Sequence, residues 1–275
     1  MATATGLSPS PAINLSSNDA TVLQALFDAE SSASSSTLAK IDSFLPSFPS
    51  ISDHNSTIRS IKQRELAIIR RIQNATDNEK LSVVDEAITE LGGLISEAPD
   101  YPPLYANRAQ ALRMHIQASS AAAAAATNSE SDNSNTEDNA IFSVTYADIA
   151  TRLWSDLTQA ITLSTPAQQT SSVSPAQARL LSNAHTHRGY ILLKAAKIRK
   201  DQNPEDTKIG GGGPQQLRNI GTRDELEEMA SRDFFQAGRY GNDVAREVSV
   251  QTNPYAKLCG TIVKEALRKE MEEFQ

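Results

Sequence analysis

Apolar residues recur at helical spacing along most of this chain. From Ser56 or Thr57, the set Ile58, Ile61, Leu66, Ile69 and Ile72 predicts a helix that stops near Asn74. Its partner runs from about Ser82 to Ala98, with Ala87, Leu91 and Leu94 on one face, and stops at Pro99. A third helix opens on Pro102-Pro103, residues suited to a first turn, and carries Tyr105, Ala109 and Leu112. It runs into Ala121–Ala126, which extend the helical pattern, and then into a stretch of Ser, Asn, Asp and Glu. That composition cannot bury enough apolar surface to order itself, so a disordered insert is expected over about 119–139.

The pattern resumes at Ile141 to Leu163, where Leu153, Leu157 and Ala160 repeat the Ala87, Leu91 and Leu94 face. After a linker at Thr165–Val173, Ser174-Pro175 caps a helix reaching about Lys200, in which His185, Gly189 and Leu192 repeat Tyr105, Ala109 and Leu112. A second disordered insert, holding Gly210–Gly213, is expected at about 201–221. Thr222 to Glu225 forms a capping box for a helix with Ala230, Phe234 and Ala237. A short helix from Asp243 and a final one from Tyr255 to about Glu272 follow. Ahead of all this, 1–17 reads as a disordered tail, 18–30 as a short amphipathic helix, and 31–55 as a Ser-rich linker. The helix at 18–30 places Val22, Leu23, Leu26 and Phe27 on one face; it either docks permanently on the rest or gates a groove there.

Alternating small and bulky residues on paired helices is the way a tetratricopeptide repeat is written, since helices cross closely only where Ala or Gly meets a large partner. The expected fold is therefore all-α: a solenoid of three helix pairs over 56–275, with a C-terminal capping helix and an N-terminal docking helix. Three repeats is about the minimum for such a stack.

Composition narrows the function. The 275 residues carry a net charge of −7, which argues against a nucleic-acid partner needing a basic face. The single Cys259 excludes a disulfide framework and is expected to pack within its helix. Residues 1–11 lack the basic start and apolar run of a secretory signal, and no segment approaches the ~20 apolar residues of a membrane span. A cytoplasmic protein is expected, with the nucleus open to it.

Three further segments carry a likeness to a known family: Asn18-Asp-Ala-Thr-Val-Leu-Gln-Ala-Leu-Phe-Asp28, Pro99-Asp-Tyr-Pro-Pro-Leu-Tyr-Ala-Asn-Arg-Ala-Gln-Ala111, and Asn253-Pro-Tyr-Ala-Lys-Leu-Cys259 after Asp233-Phe-Phe-Gln-Ala237. In these the chain resembles the tetratricopeptide repeat protein 36 family. The resemblance implies a non-enzymatic three-repeat adaptor, a partner or cofactor of heat-shock protein 70, with animal members linked to control of tyrosine breakdown. Chaperone-binding repeats hold a carboxylate clamp of Lys and Asn, Asn, then Lys and Arg on the first, third and fifth helices. Here Asn107 fits the third-helix position, while Ile68 and Ile72, and Asn183 and His187, stand at the others.

Helical geometry points Asn107, Gln110 and Arg113 of one helix, and His187, Tyr190 and Lys194 of another, into the concave surface. These are the candidate protein-binding residues, a polar set with a slight basic bias suited to an acidic or polar peptide. Arg108 and Arg188 are expected to lie along neighbouring helices and pair with carboxylates such as Glu86 or Glu90. His185 and His187, two apart on a helix, point to nearly opposite sides and do not form a metal pair. Gly210–Gly213 lacks the Gly-Lys-Ser/Thr ending of a phosphate loop. The Lys194, Lys197, Arg199 and Lys200 run suits a helix C-terminus. No cofactor, metal, small-molecule substrate or catalytic residue is expected, and the partners are expected to be proteins. The rival reading is a structural subunit of a larger complex.

Overall fold

A computed structural model describes residues 38–48, 51, 56–126, 139–168, 171–201, 212–220 and 222–273. The chain divides into Met1–Leu38 and Ala39–Gln275, and the account below concerns the second unit. The helix expected at 18–30 lies outside the described residues, as do 127–138 and 202–211 of the two inserts.

The described residues of this unit are helical apart from connections and one isolated parallel bridge. The helices are α1 (Ser56–Asn74), α2 (Lys80–Glu97), α3 (Pro102–Ala126), α4 (Ala147–Ser164), α5 (Pro175–Asp201), α6 (Gln215–Arg218), α7 (Arg223–Arg239), α8 (Asp243–Thr252) and α9 (Pro254–Glu273). Packing follows chain order: α1 on α2, α2 on α3, α3 on α4, α4 on α5, α5 on α7, and α7 on α8. None of the helices among the described residues is long and apolar enough to cross a membrane.

Small residues set the close approaches, as their spacing predicts. Ala87, Ala109, Ala160, Ala230 and Ala237 are wholly buried between helices. At Gly189 of α5 an added Cβ would lie 3.2 Å from the Phe234 ring of α7, so the bare backbone makes room for the aromatic. One apolar cluster joins α1, α2 and the Leu104/Ala111 side of α3; a second joins the Ala109/Leu112 side of α3 to α4, α5 and α7. Being apolar toward both clusters, α3 has little polar surface to spare.

Side-chain caps close the ends. Ser174 Oγ accepts from Gln177 N and Gln177 Oε1 accepts from Ser174 N, each at 3.1 Å, while Gln177 Nε2 donates to the Ser164 carbonyl at the end of α4. Thr222 and Glu225 form the expected capping box on α7. Asn242 and Asn253 cap α8 and α9 through Ala245 N and Tyr255 N. Between α7 and α8, Gly241 takes φ +99°, a left-handed turn that glycine adopts without strain.

Several expectations are corrected. The first insert begins later than 119, because α3 continues to Ala126 through six consecutive alanines, the best helix formers. Ile141 to Tyr146 is two short 3₁₀ turns rather than α-helix, since Ser143 is extended and its side chain caps the second turn. In α1 the buried face is Ile58, Ile61, Glu65 and Ile68, and Leu66 is exposed.

The second insert is ordered at its end. Gly212 leaves no space for a Cβ, which would fall 1.8 Å from the Phe142 carbonyl oxygen, and Leu217 of α6 is fully buried in the second cluster. α8 covers α7 through Ala245, Ser249 and Thr252, and the described side chains of α9 from Tyr255 on are exposed, Cys259 included.

The linker at 31–55 is a packed strap over its described part. Ala39 N donates to the Arg239 carbonyl at the end of α7, and Lys40 to Asp42 pair with Val173 just before α5. Ser174 Oγ also donates to the Ser47 carbonyl at 2.6 Å. Phe48 then meets Tyr101, before α3, edge to face at 5.8 Å.

Leu217→Ala should cost about 2–5 kcal/mol in urea unfolding, the usual range for a buried leucine truncation. A loss below about 0.5 kcal/mol, typical of an exposed site, would return 212–220 to a loose linker.

Candidate functional site

Between α3 and α5 lies an open groove of about 480 Å³, walled by Asn107, Gln110 and Arg113 on one side and His187 and Tyr190 on the other. A recess of about 20 Å³ adjoins it, lined by Arg113, His187, Tyr190 and Lys194 over Ile116, Ile141 and Ile191. The six residues expected on the concave surface therefore do face shared space. They come together because residues three and four apart share a helix face, and α3 and α5 turn those faces toward one another over Leu157 of α4.

The next residue along each helix, about 100° further round, is an arginine that fixes the wall. Arg108 holds Asp156 of α4 with two bonds, Nε to Oδ2 at 2.7 Å and Nη2 to Oδ1 at 2.6 Å, and both residues are buried. Arg188 holds Asp233 of α7 in the same bidentate manner at 2.8 and 2.7 Å. His185 Nδ1 donates to that same Asp233 at 2.8 Å, and its ring stacks on Tyr240. Burial alone would raise the Asp233 carboxyl, but hydrogen bonds from His185 and Arg188 outweigh it and hold the group below its ordinary value. The expected partners of these arginines are thus corrected. Glu90 instead pairs with Arg71, and the true partners sit on the helices that α3 and α5 pack against, Asp156 on α4 and Asp233 on α7.

His187 faces the groove with Nε2 buried and, among the described residues, without a hydrogen-bond partner. Burial and the nearby Arg113 charge lower its pKa to about 4, so the ring is neutral at pH 7. Tyr190 has two cations over its ring, with the Arg113 guanidinium carbon 5.6 Å and Lys194 Nζ 5.5 Å from the centroid. Further along, Arg199 is buried and donates to the carbonyls of Leu217 and Arg218, so it braces α6 and stays out of the groove. Among the described residues no group of three or more His, Cys, Asp or Glu is placed to hold a metal ion.

Asn107 is already engaged. Its Nδ2 donates to Glu65 Oε1 at 2.6 Å across to α1. Burial pushes Glu65 up to about 7, against the lowering effect of hydrogen bonds from Tyr101 and Asn107 and of the Lys62 charge. Glu65 escaped the sequence reading because it occupies a core position in α1 between Ile61 and Ile68. Its spacing from those isoleucines was the available signal.

A carboxyl with a raised folded-state pKa stabilises the fold at low pH, and that contribution fades as pH climbs from the unfolded value of 4.5 through about 7. Glu65→Gln, which cannot ionise, should therefore be more stable than the wild type at pH 8 by about 1–3 kcal/mol, with the gain shrinking at pH 5. Urea titrations at both values test this, and an equal difference at the two would refute the assignment.

No family model and no solved structure matches this chain. A curated relative, the L-tyrosine degradation gene cluster protein hmgX of Aspergillus fumigatus, is 50% identical to it over 277 residues, covering 99% of each chain. Identity of that degree over essentially the full length makes the chain a member of the hmgX family.

Proposed function

We propose that this protein is a non-enzymatic adaptor of L-tyrosine degradation, acting in the cytoplasm, whose helix pairs form a tetratricopeptide-type solenoid holding protein segments in the α3/α5 groove. The pathway rests on the name of the relative, which ties that protein to an L-tyrosine degradation gene cluster. The same process came from the resemblance to the tetratricopeptide repeat protein 36 family. The mode of action rests on one observation above all: Asn107, Gln110, Arg113, His187 and Tyr190 line one open groove, and Arg113, His187 and Tyr190 join Lys194 in the recess beside it. A groove with polar walls and an apolar floor suits an extended polypeptide.

The groove is a poor catalytic site. Its His187 is held neutral, and Nε2 has no nucleophile or orienting carboxylate bonded to it among the described residues. It is equally poor at grasping the terminal carboxylate of heat-shock protein 70. Ile68 is buried, and Asn107, which alone matches the clamp, is spent on Glu65. Contact with that chaperone would use another surface. A purely structural subunit remains the second reading, favoured by the exposed apolar residues Ile262 and Val263 on α9.

Disrupting the gene in its host should abolish growth on L-tyrosine as sole carbon source while leaving growth on glucose intact. Tyr190→Ala should fail to restore that growth and should recover less partner protein on affinity capture, while its circular dichroism spectrum stays helical. Full rescue and full recovery by Tyr190→Ala would remove the groove from the function and favour the structural subunit.

A further inference from the structure

The groove is chemically graded along its length. Near the start of α3 its walls are uncharged, with Asn107 and Gln110 opposite Asn183. Toward the later turns of both helices, Arg113 and Lys194 gather over the Tyr190 ring. Among the described residues no carboxylate lies within ion-pair distance of Arg113. His187 sits where groove and recess meet, and its unpartnered Nε2 is a second polar group there awaiting a ligand. An anion entering would meet two cations and a ring nitrogen beside an apolar floor. The partly buried wall screens such attraction less than open water does.

Resting on the adaptor reading above, we infer that this end of the groove receives the side-chain carboxylates of an acidic segment within a partner polypeptide, through Arg113, Lys194 and His187. The carboxylates come from inside the partner and not from its C-terminus. A terminal carboxylate is normally caught by amide and ammonium groups at the five clamp positions, and here Ile68 and Ile72 are aliphatic, Asn107 is bonded to Glu65, and Asn183 and His187 stand where the clamp has Lys and Arg. The arginine supplies planar paired donors, the lysine a mobile point charge, and the tyrosine keeps both cations in place. His187 adds a bond whose strength rises if the imidazole takes up a proton beside the arriving anion.

The test uses the full chain and three labelled ten-residue peptides followed by fluorescence anisotropy. One alternates Glu and Gly and is acetylated and amidated, the second has Gln for every Glu, and the third is the Gln peptide with a free C-terminal carboxylate. The capped Glu peptide should bind, more weakly as salt rises, and the other two should not. Arg113→Gln and Lys194→Gln should each weaken it about tenfold, equivalent to about 1.4 kcal/mol. In NMR, the His187 ring should titrate at higher pH when that peptide is bound.

Absent binding of the capped Glu peptide, equal binding of its Gln counterpart, preference for the free terminus, or unaltered affinity in both variants would each overturn the inference. If any of these occurs while Tyr190→Ala still abolishes partner recovery, only the carboxylate specificity falls. If Tyr190→Ala also leaves recovery intact, the adaptor reading falls with it.

Discussion

Two arginine–aspartate pairs, one buried and one partly buried, govern the rest of this architecture. Arg108 on α3 grips Asp156 on α4, and Arg188 on α5 grips Asp233 on α7, each through paired hydrogen bonds. A buried ion pair adds little net stability over apolar packing, yet losing one partner leaves a stranded charge and costs several kcal/mol. Such a pair therefore acts against misregistration: sliding either helix by one turn would strand two charges. Because each arginine directly follows a groove-facing residue, Asn107 or His187, the same constraint also aims the groove side chains. Function and register share a helical turn.

The second constraint is the double-sided burial of α3. Leu104 and Ala111 face one apolar cluster while Ala109 and Leu112 face the other, so the helix is the common wall of both. Asn107, Gln110 and Arg113 lie apart from these apolar sides, on the face turned toward α5.

Much of this was legible in the sequence where local rules decide the outcome. The alternation of Ala87, Ala109 and Ala160 with leucines gave the all-helical packing, and Thr222 with Glu225 gave a helix start, since capping depends only on residues three apart. The groove residues followed from helical spacing alone. What escaped depended on tertiary partners. Asp156 and Asp233 look like ordinary surface acids until the neighbouring helix is placed, and Glu65 looks like a solvent residue although Asn107 and Tyr101 receive it inside. Composition also misled at 212–220, where glycine suggested looseness and its lack of a side chain instead lets backbone approach backbone, as at Gly212 against Phe142.

The strap of residues 39–48 gives the array a mechanical property that stacked hairpins on their own do not have. Serially packed helices can flex like a coil spring, each junction yielding a little. Here one stretch of backbone is hydrogen-bonded at the end of α7 and ahead of α5, and is stacked by Phe48 on Tyr101, where α3 begins. It laces the later helices to the earlier ones, so opening the channel would mean tearing those links together. The groove between α3 and α5 is thereby held at a set width, fixed by backbone links and not only by the packing of neighbouring helices.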